Sequence, residues 1–184
     1  MPKKIIKYKL VDQEGYTRKG LTGETYWLDG EKKMARGKGV ELCTDDLIHY
    51  YDHPLLAVLF NPIHASIENP RLIKIEIDKE GAYDGLKGGG KKAKFTKEVK
   101  LPEITTEQIV TFAIKISLVF CRDTEYRKWA GNWINGENRG ADAAWAAAKA
   151  VKAAAGAATG AAVAAINKLF IKTITNIVGK RGKK

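Results

Sequence analysis

Apolar and polar positions alternate through most of the first half of the chain, and a three-to-four-residue apolar repeat takes over in the second. Ile5–Val11 mixes β-branched and aromatic residues with alternate lysines and predicts a strand, closed by Asp12-Gln13-Glu14-Gly15. Thr25-Tyr26-Trp27-Leu28 predicts a short strand running into the turn Asp29-Gly30. Val40-Glu41-Leu42-Cys43 predicts another, after which Thr44 or Asp45 caps a helix through Leu47-Ile48-His49-Tyr50-Tyr51 that Pro54 interrupts. Leu55–Phe60 reads as a second buried helical segment, and Asn61-Pro62 and Asn69-Pro70 frame a loop. Arg71–Asp78 is the cleanest strand, with Ile73, Ile75 and Ile77 on one face and Leu72, Lys74, Glu76 and Asp78 on the other. Gly81–Lys92 is a glycine- and lysine-rich loop, and Ala93–Val99 a further strand with Phe95 and Val99 on the core side.

Helical spacing begins at Thr105, which with Gln108 forms a capping box before Ile109, Phe112, Ala113, Ile116, Val119 and Phe120. Asp123 or Thr124 caps a second helix carrying the stripe Tyr126, Trp129, Ala130 and Trp133, and Asn135-Gly136 stops it. The spacing of that stripe is that of a helix packing large residues on a neighbour, rather than of exposed rings stacking bases. Gly140–Val178 is an alanine-rich helix, because alanine loses no side-chain entropy on becoming helical. The fold class is therefore α+β: a small antiparallel-sheet module over residues 1–104, followed over 105–184 by a three-helix, Ala-rich region.

Charge changes the picture. The chain of 184 residues has a net charge of +11, and the halves differ. Residues 1–104 hold 19 Lys and Arg against 16 Asp and Glu, whereas residues 105–184 hold 13 against 5. The positive excess sits in the helical half, which favours nucleic acid, anionic lipid or an acidic protein surface as partner. The cationic candidates are Lys91, Lys92 and Lys94 beside the glycine-rich loop, Lys149, Lys152, Lys168 and Lys172 on the alanine helix, and Lys180, Arg181, Lys183 and Lys184 in the tail. Such residues contact phosphate without sequence preference. Gly88-Gly89-Gly90-Lys91 is followed by a strand rather than a helix, so it is not a P-loop.

Trp145 is expected to pin the alanine helix to the aromatic stripe. Gly156 and Gly160, four residues apart, admit a second backbone, and self-association there is a further expectation. Cys43 and Cys121 lack C-x-x-C spacing and are expected to be buried, reduced thiols of a cytosolic protein. The N-terminus has no apolar signal-type core, and neither Ile109–Phe120 nor Ala153–Ile166 reaches the length and hydropathy of a membrane span. His49, His53 and His64 lack a metal-binding frame and are expected to be ordinary hydrogen-bonded histidines. No catalytic signature, cofactor motif or metal motif is present in the sequence.

Glu14–Leu21, Glu24–Gly30, Asn61–Ala65, Glu68–Leu72, Tyr83-Asp84-Gly85 and the Ala-rich stretch after Trp129–Trp133 resemble a family of small uncharacterised proteins of phages and mobile elements. The resemblance covers almost the whole chain and implies a phage setting in a bacterial cytoplasm. A second likeness, to mono-ADP-ribosyltransferase-like modules, rests on Gly39–Thr44, on Tyr50 and Tyr51, and on a later strand carrying Glu76. It implies an enzyme that modifies a host protein with NAD. The expected function is binding without catalysis or cofactor: a phage-type accessory protein engaging a nucleic acid or nucleoprotein machine, with anti-CRISPR-like inhibition as its sharpest form. The alternatives are the transferase and an assembly protein that oligomerises through the Ala-rich helix.

Overall fold

The computed structural model describes residues 4–120, 122–137, 140 and 162–179. Its fold class is α+β, and contacts divide the chain into two compact units, Met1–Glu103 and Ile104–Lys184.

The first unit is built on a four-stranded antiparallel sheet of β1 (Ile5–Val11), β4 (Lys32–Met34), β6 (Arg71–Ile77) and β8 (Lys92–Val99), in the order β1-β6-β8-β4. The period-2 alternation of β6 determines which face is buried: Ile73, Ile75 and Ile77 join Val11, Trp27, Tyr50 and Ala93 in the core, with Phe95 against it. Two small ribbons complete the unit, β2 (Tyr16–Thr17) with β3 (Thr25–Tyr26), and β5 (Ile48–Tyr50) with β7 (Gly88–Gly90). Tyr51 continues β5 and bridges Tyr8 of β1, with backbone bonds of 2.9 and 2.8 Å.

Several local expectations give way here. Val40–Cys43 is turn rather than strand, and Leu47–Tyr51 is not helical. The Thr44 hydroxyl donates to the Glu41 carbonyl and accepts from the Asp46 N–H, so it closes a turn instead of capping a helix. The glycine-rich loop supplies β7, because only glycine fits there. A Cβ at Gly88 would lie 2.4 Å from the Tyr50 ring, and one at Gly89 would lie 2.7 Å from Leu47. The strand at Thr25 ends at Tyr26, and Trp27 turns into the core, where its indole N–H donates to Thr17 Oγ1 at 2.9 Å. Pro54 starts a helix rather than breaking one. In α1 (Pro54–His64) it occupies the first turn, where no N–H is needed, and the His53 ring caps the Leu55 N–H. Cys43 is exposed, not buried, and its φ of 66° is left-handed.

In the second unit, α2 (Thr106–Phe120) opens on the capping box. The Thr105 N–H donates to Gln108 Oε1 at 2.9 Å, and the Gln108 N–H donates back to Thr105 Oγ1 at 3.3 Å. α3 (Thr124–Asn135) is capped by Asp123 and stopped by Gly136 at φ 88°. Its stripe packs on α2: Ala130 and Trp133 are buried with Val110, Ala113 and Ile114, and Tyr126 and Trp129 lie against them. α4 (Ala162–Gly179) buries Phe170 and Ile174, and Phe170 meets Phe112 edge-on at 5.3 Å. No helix among the described residues is long and apolar enough to cross a membrane. Trp145, Lys149, Lys152, Gly156, Gly160, Lys180, Arg181, Lys183 and Lys184 lie outside the described residues.

Candidate functional site

The alternation that buries Ile73, Ile75 and Ile77 puts a row of lysines on the other face of the same sheet. Along β8 these are Lys92, Lys94 and Lys97, with the extra residue Thr96 of β8, opposite the step from Lys74 to Ile75 of β6, keeping Lys97 in phase. Across the sheet, Tyr8 stands opposite Lys74, and Lys74 opposite Lys97. One row further on, Ile6 faces Glu76, Glu76 faces Lys94, and Lys94 faces Lys32 of β4. The Lys74 ammonium lies 5.6 Å from the centroid of the Tyr8 ring.

Two of these cross-strand pairs are therefore like-charged, Lys74 with Lys97 and Lys94 with Lys32. Like charges directly opposite each other destabilise a sheet. The acidic residues of the face are already engaged: Glu76 pairs with Lys4 at 3.0 Å and Asp78 with Lys32 at 2.8 Å. Among the described residues, Lys74, Lys92, Lys94 and Lys97 form no ion pair. Lys94, Lys97 and Met34 are exposed, as is Ile6.

The sequence-predicted cations fare differently. Lys92 and Lys94 join the ladder. Lys91 faces the other way and is used up inside the unit, where its ammonium donates to the carbonyls of Gly37 (3.1 Å), Asp46 (2.8 Å) and Gly39. It fastens the 37–46 loop and has no donor to spare for phosphate. Lys168 and Lys172 are exposed, one turn apart on α4. Lys74 and Lys97 were not singled out from the sequence, though the alternation Lys74-Ile75-Glu76 and the lysines of β8 carried the signal. Glu76, the residue that the transferase likeness singles out, is on this solvent face in its ion pair with Lys4.

Beside β1 lies a second cluster, in which His49 and His64 are the hydrogen-bonded histidines expected from the sequence. His49 Nε2 accepts the Cys43 N–H at 3.0 Å, and the Tyr51 hydroxyl lies 3.0 Å from His64 Nδ1. Burial, followed by the charges of Lys9 and Lys87, lowers the pKa of His49 to about 4, so its imidazole is neutral at physiological pH. Burial raises Tyr51 well above the usual phenol range. Among the described residues no group of three or more His, Cys, Asp or Glu is placed to hold a metal ion. Comparisons with protein-family models, with curated proteins and with solved structures give no match to this chain.

Proposed function

We propose that this protein binds nucleic acid through the lysine ladder of its sheet, without catalysis and without sequence preference. The observation that carries the reading is the pair of like-charged cross-strand contacts, Lys74–Lys97 and Lys94–Lys32, on a face where Lys74, Lys92, Lys94 and Lys97 lack carboxylate partners. Such a face costs stability on its own, and a polyanion laid along it relieves the repulsion. Lysines at alternate positions of a strand repeat about every 6.6 Å, on the scale of successive phosphates in an extended strand. Tyr8, Ile6 and Met34 lie among them and offer ring and apolar contacts to unstacked bases. A sheet face with lysines on it is too broad to enter a duplex groove, so single strands fit it better than duplexes. The setting proposed with it is that of a phage-type accessory protein acting on a nucleoprotein machine in a bacterial cytoplasm. The quoted resemblance and the chain's net charge of +11 support that setting.

Fluorescence anisotropy with a labelled oligothymidylate tests the reading. Four lysines meeting phosphates give a log–log salt slope of about 3 in magnitude for a single strand. Lys94→Gln with Lys97→Gln is expected to lower the slope by about 1.4 and to weaken binding equally for all sequences. Absence of binding at low salt, or an unchanged slope in the double variant, would overturn the proposal. So would equal binding of polyglutamate, since the face would then read charge alone.

A further inference from the structure

Two lysines two residues apart on the core side of β1 are treated in opposite ways. Lys7 is held between carboxylates, at 2.5 Å from Asp52 and in contact with Glu80. Lys9 forms no ion pair among the described residues. Its ammonium donates to the His49 carbonyl at 3.0 Å and lies 5.1 Å from the centroid of a Trp27 ring. Lys87 repeats the pattern at 7% exposure, with its ammonium 3.0 Å from Cys43 Sγ and in no ion pair among the described residues. Buried charges are ordinarily paired, because desolvation costs several kcal/mol per ion. Here a half-buried and a buried ammonium group line one cavity, the first against a carbonyl and the second against a sulfur.

They belong to one chain of contacts. Lys9 bonds the His49 carbonyl, the His49 imidazole bonds the Cys43 backbone, and the Cys43 sulfur meets Lys87. All four line a single cavity of about 530 Å³, together with Tyr51 and His64. That volume is of small-molecule size. The carboxylates nearby are committed. Asp45, which lines the cavity, pairs with Arg18. Asp84 accepts the backbone N–H groups of Leu86 and Lys87, both at 2.8 Å.

We infer that this cavity binds a small phosphomonoester, with its phosphate between the ammonium groups of Lys9 and Lys87. Two unpaired cations call for two negative charges. A phosphomonoester carries nearly two at neutral pH, whereas a carboxylate carries one. The neutral His49 ring adds no cost to an anion, and the lysines supply charge-assisted donors without large rearrangement. Lys9 leaves β1 on the face opposite the ladder, and neither Lys9 nor Lys87 is a ladder residue, although Met34 borders both the cavity and the ladder.

Calorimetric titration with adenosine monophosphate, glycerol phosphate, inorganic phosphate and acetate tests it. All three phosphates are expected to bind, with acetate at least about tenfold weaker. Lys9→Met and Lys87→Met should each weaken phosphate binding by about 10- to 100-fold, while leaving oligothymidylate affinity unchanged. A second readout uses Cys43, which lines the same cavity. In a Cys121→Ser background, alkylation of Cys43 by iodoacetamide should slow when adenosine monophosphate is present. Binding of inorganic phosphate without either ester would reduce the site to a bare anion pocket and overturn the proposal. Equal affinity for acetate, wild-type affinity in both variants, or an unchanged alkylation rate would overturn it too.

Discussion

The Lys87 ammonium lies 3.0 Å from the sulfur of Cys43, a residue 44 positions earlier in the chain. The two are brought together by the β5–β7 ribbon, which stands Gly88 opposite Tyr50, and by the turn that precedes Lys87. Cys43 is reachable from solvent and Lys87 is not. Removing the sulfur leaves a buried charged donor without its acceptor. Cys43→Ala is therefore expected to cost about 1–3 kcal/mol of folding stability, measured by urea unfolding. The same substitution in a Lys87→Met background should cost much less, because the donor is already gone. Additive effects in that double-mutant cycle would mean the contact carries no energy.

Lys9 gives a prediction with a definite pH dependence. Burial lowers its pKa from 10.5 to about 8. The folded state therefore releases this proton at lower pH than the unfolded chain does. Below pH 8 both states hold the proton, and the folded protein bears the full cost of the buried charge. As pH rises from about 8 to 10.5 the cost is relieved and stability increases. Lys9→Met should accordingly stabilise the protein at pH 7 by as much as about 3 kcal/mol, while weakening phosphate binding. The stabilisation should shrink toward zero near pH 10.5. Chemical denaturation of both proteins across this range is the check, and a pH-independent difference would count against the buried ammonium.

His49 acts with the same sign in a lower pH window. Its folded pKa is about 4 against an ordinary 6.5, so protons bind the unfolded chain first as pH falls. Stability should decline between pH 6.5 and 4 more steeply in the wild type than in His49→Gln. The charged groups that act on this ring are Lys9, Lys87 and Asp84, with His64 beside them. Parallel slopes in the two proteins would show that other groups dominate acid unfolding.

Two glycines should respond oppositely to alanine. At Gly88 a Cβ would meet the Tyr50 ring at 2.4 Å, whereas at Gly131, inside α3, nothing lies within 4 Å. Gly88→Ala is expected to destabilise by about 1–3 kcal/mol through overpacking. Gly131→Ala should stabilise by about 0.5–1 kcal/mol through helix propensity. Thermal unfolding of the two variants separates steric demand from conformational freedom.

The legible parts of the chain were those whose structure depends on near neighbours. The alternation of Arg71–Ile77 specified both a strand and its buried face. Ile5–Val11 and Ala93–Val99 were legible as strands, but β1 turns Lys7 and Lys9 to the core side and the register shift puts Val99 on the face opposite Phe95. The pair Thr105 and Gln108 marked the start of α2, Asp123 capped α3, and Gly136 ended it, because capping is settled within four residues. The aromatic stripe of Tyr126, Trp129 and Trp133 packs on α2 as its spacing indicated. Lys92 and Lys94 were named from the sequence together with Lys91, as cations beside a glycine-rich loop.

Segments that depend on distant partners were misread or missed. Leu47–Tyr51 has apolar content that suits helix or strand, and its pairing with Gly88–Gly90 decides for strand. Those glycines, which suggested a loop, are extended backbone pressed beneath Tyr50 and Leu47. Lys91 looked like its neighbours Lys92 and Lys94, yet at the bend between β7 and β8 its ammonium holds the carbonyls of the 37–46 loop. The ladder needs the register of β8 against β6 and β4, and the cavity needs Lys9, Cys43, His49 and Lys87 drawn from four separate segments. By itself the sequence determined β6, the start of α2, both ends of α3 and the faces of β6 and α3 that are apolar, because those follow from propensity, capping and period. Only the tertiary structure decided which lysines stand unpaired, since charge pairing is a matter of distance between chain-remote groups.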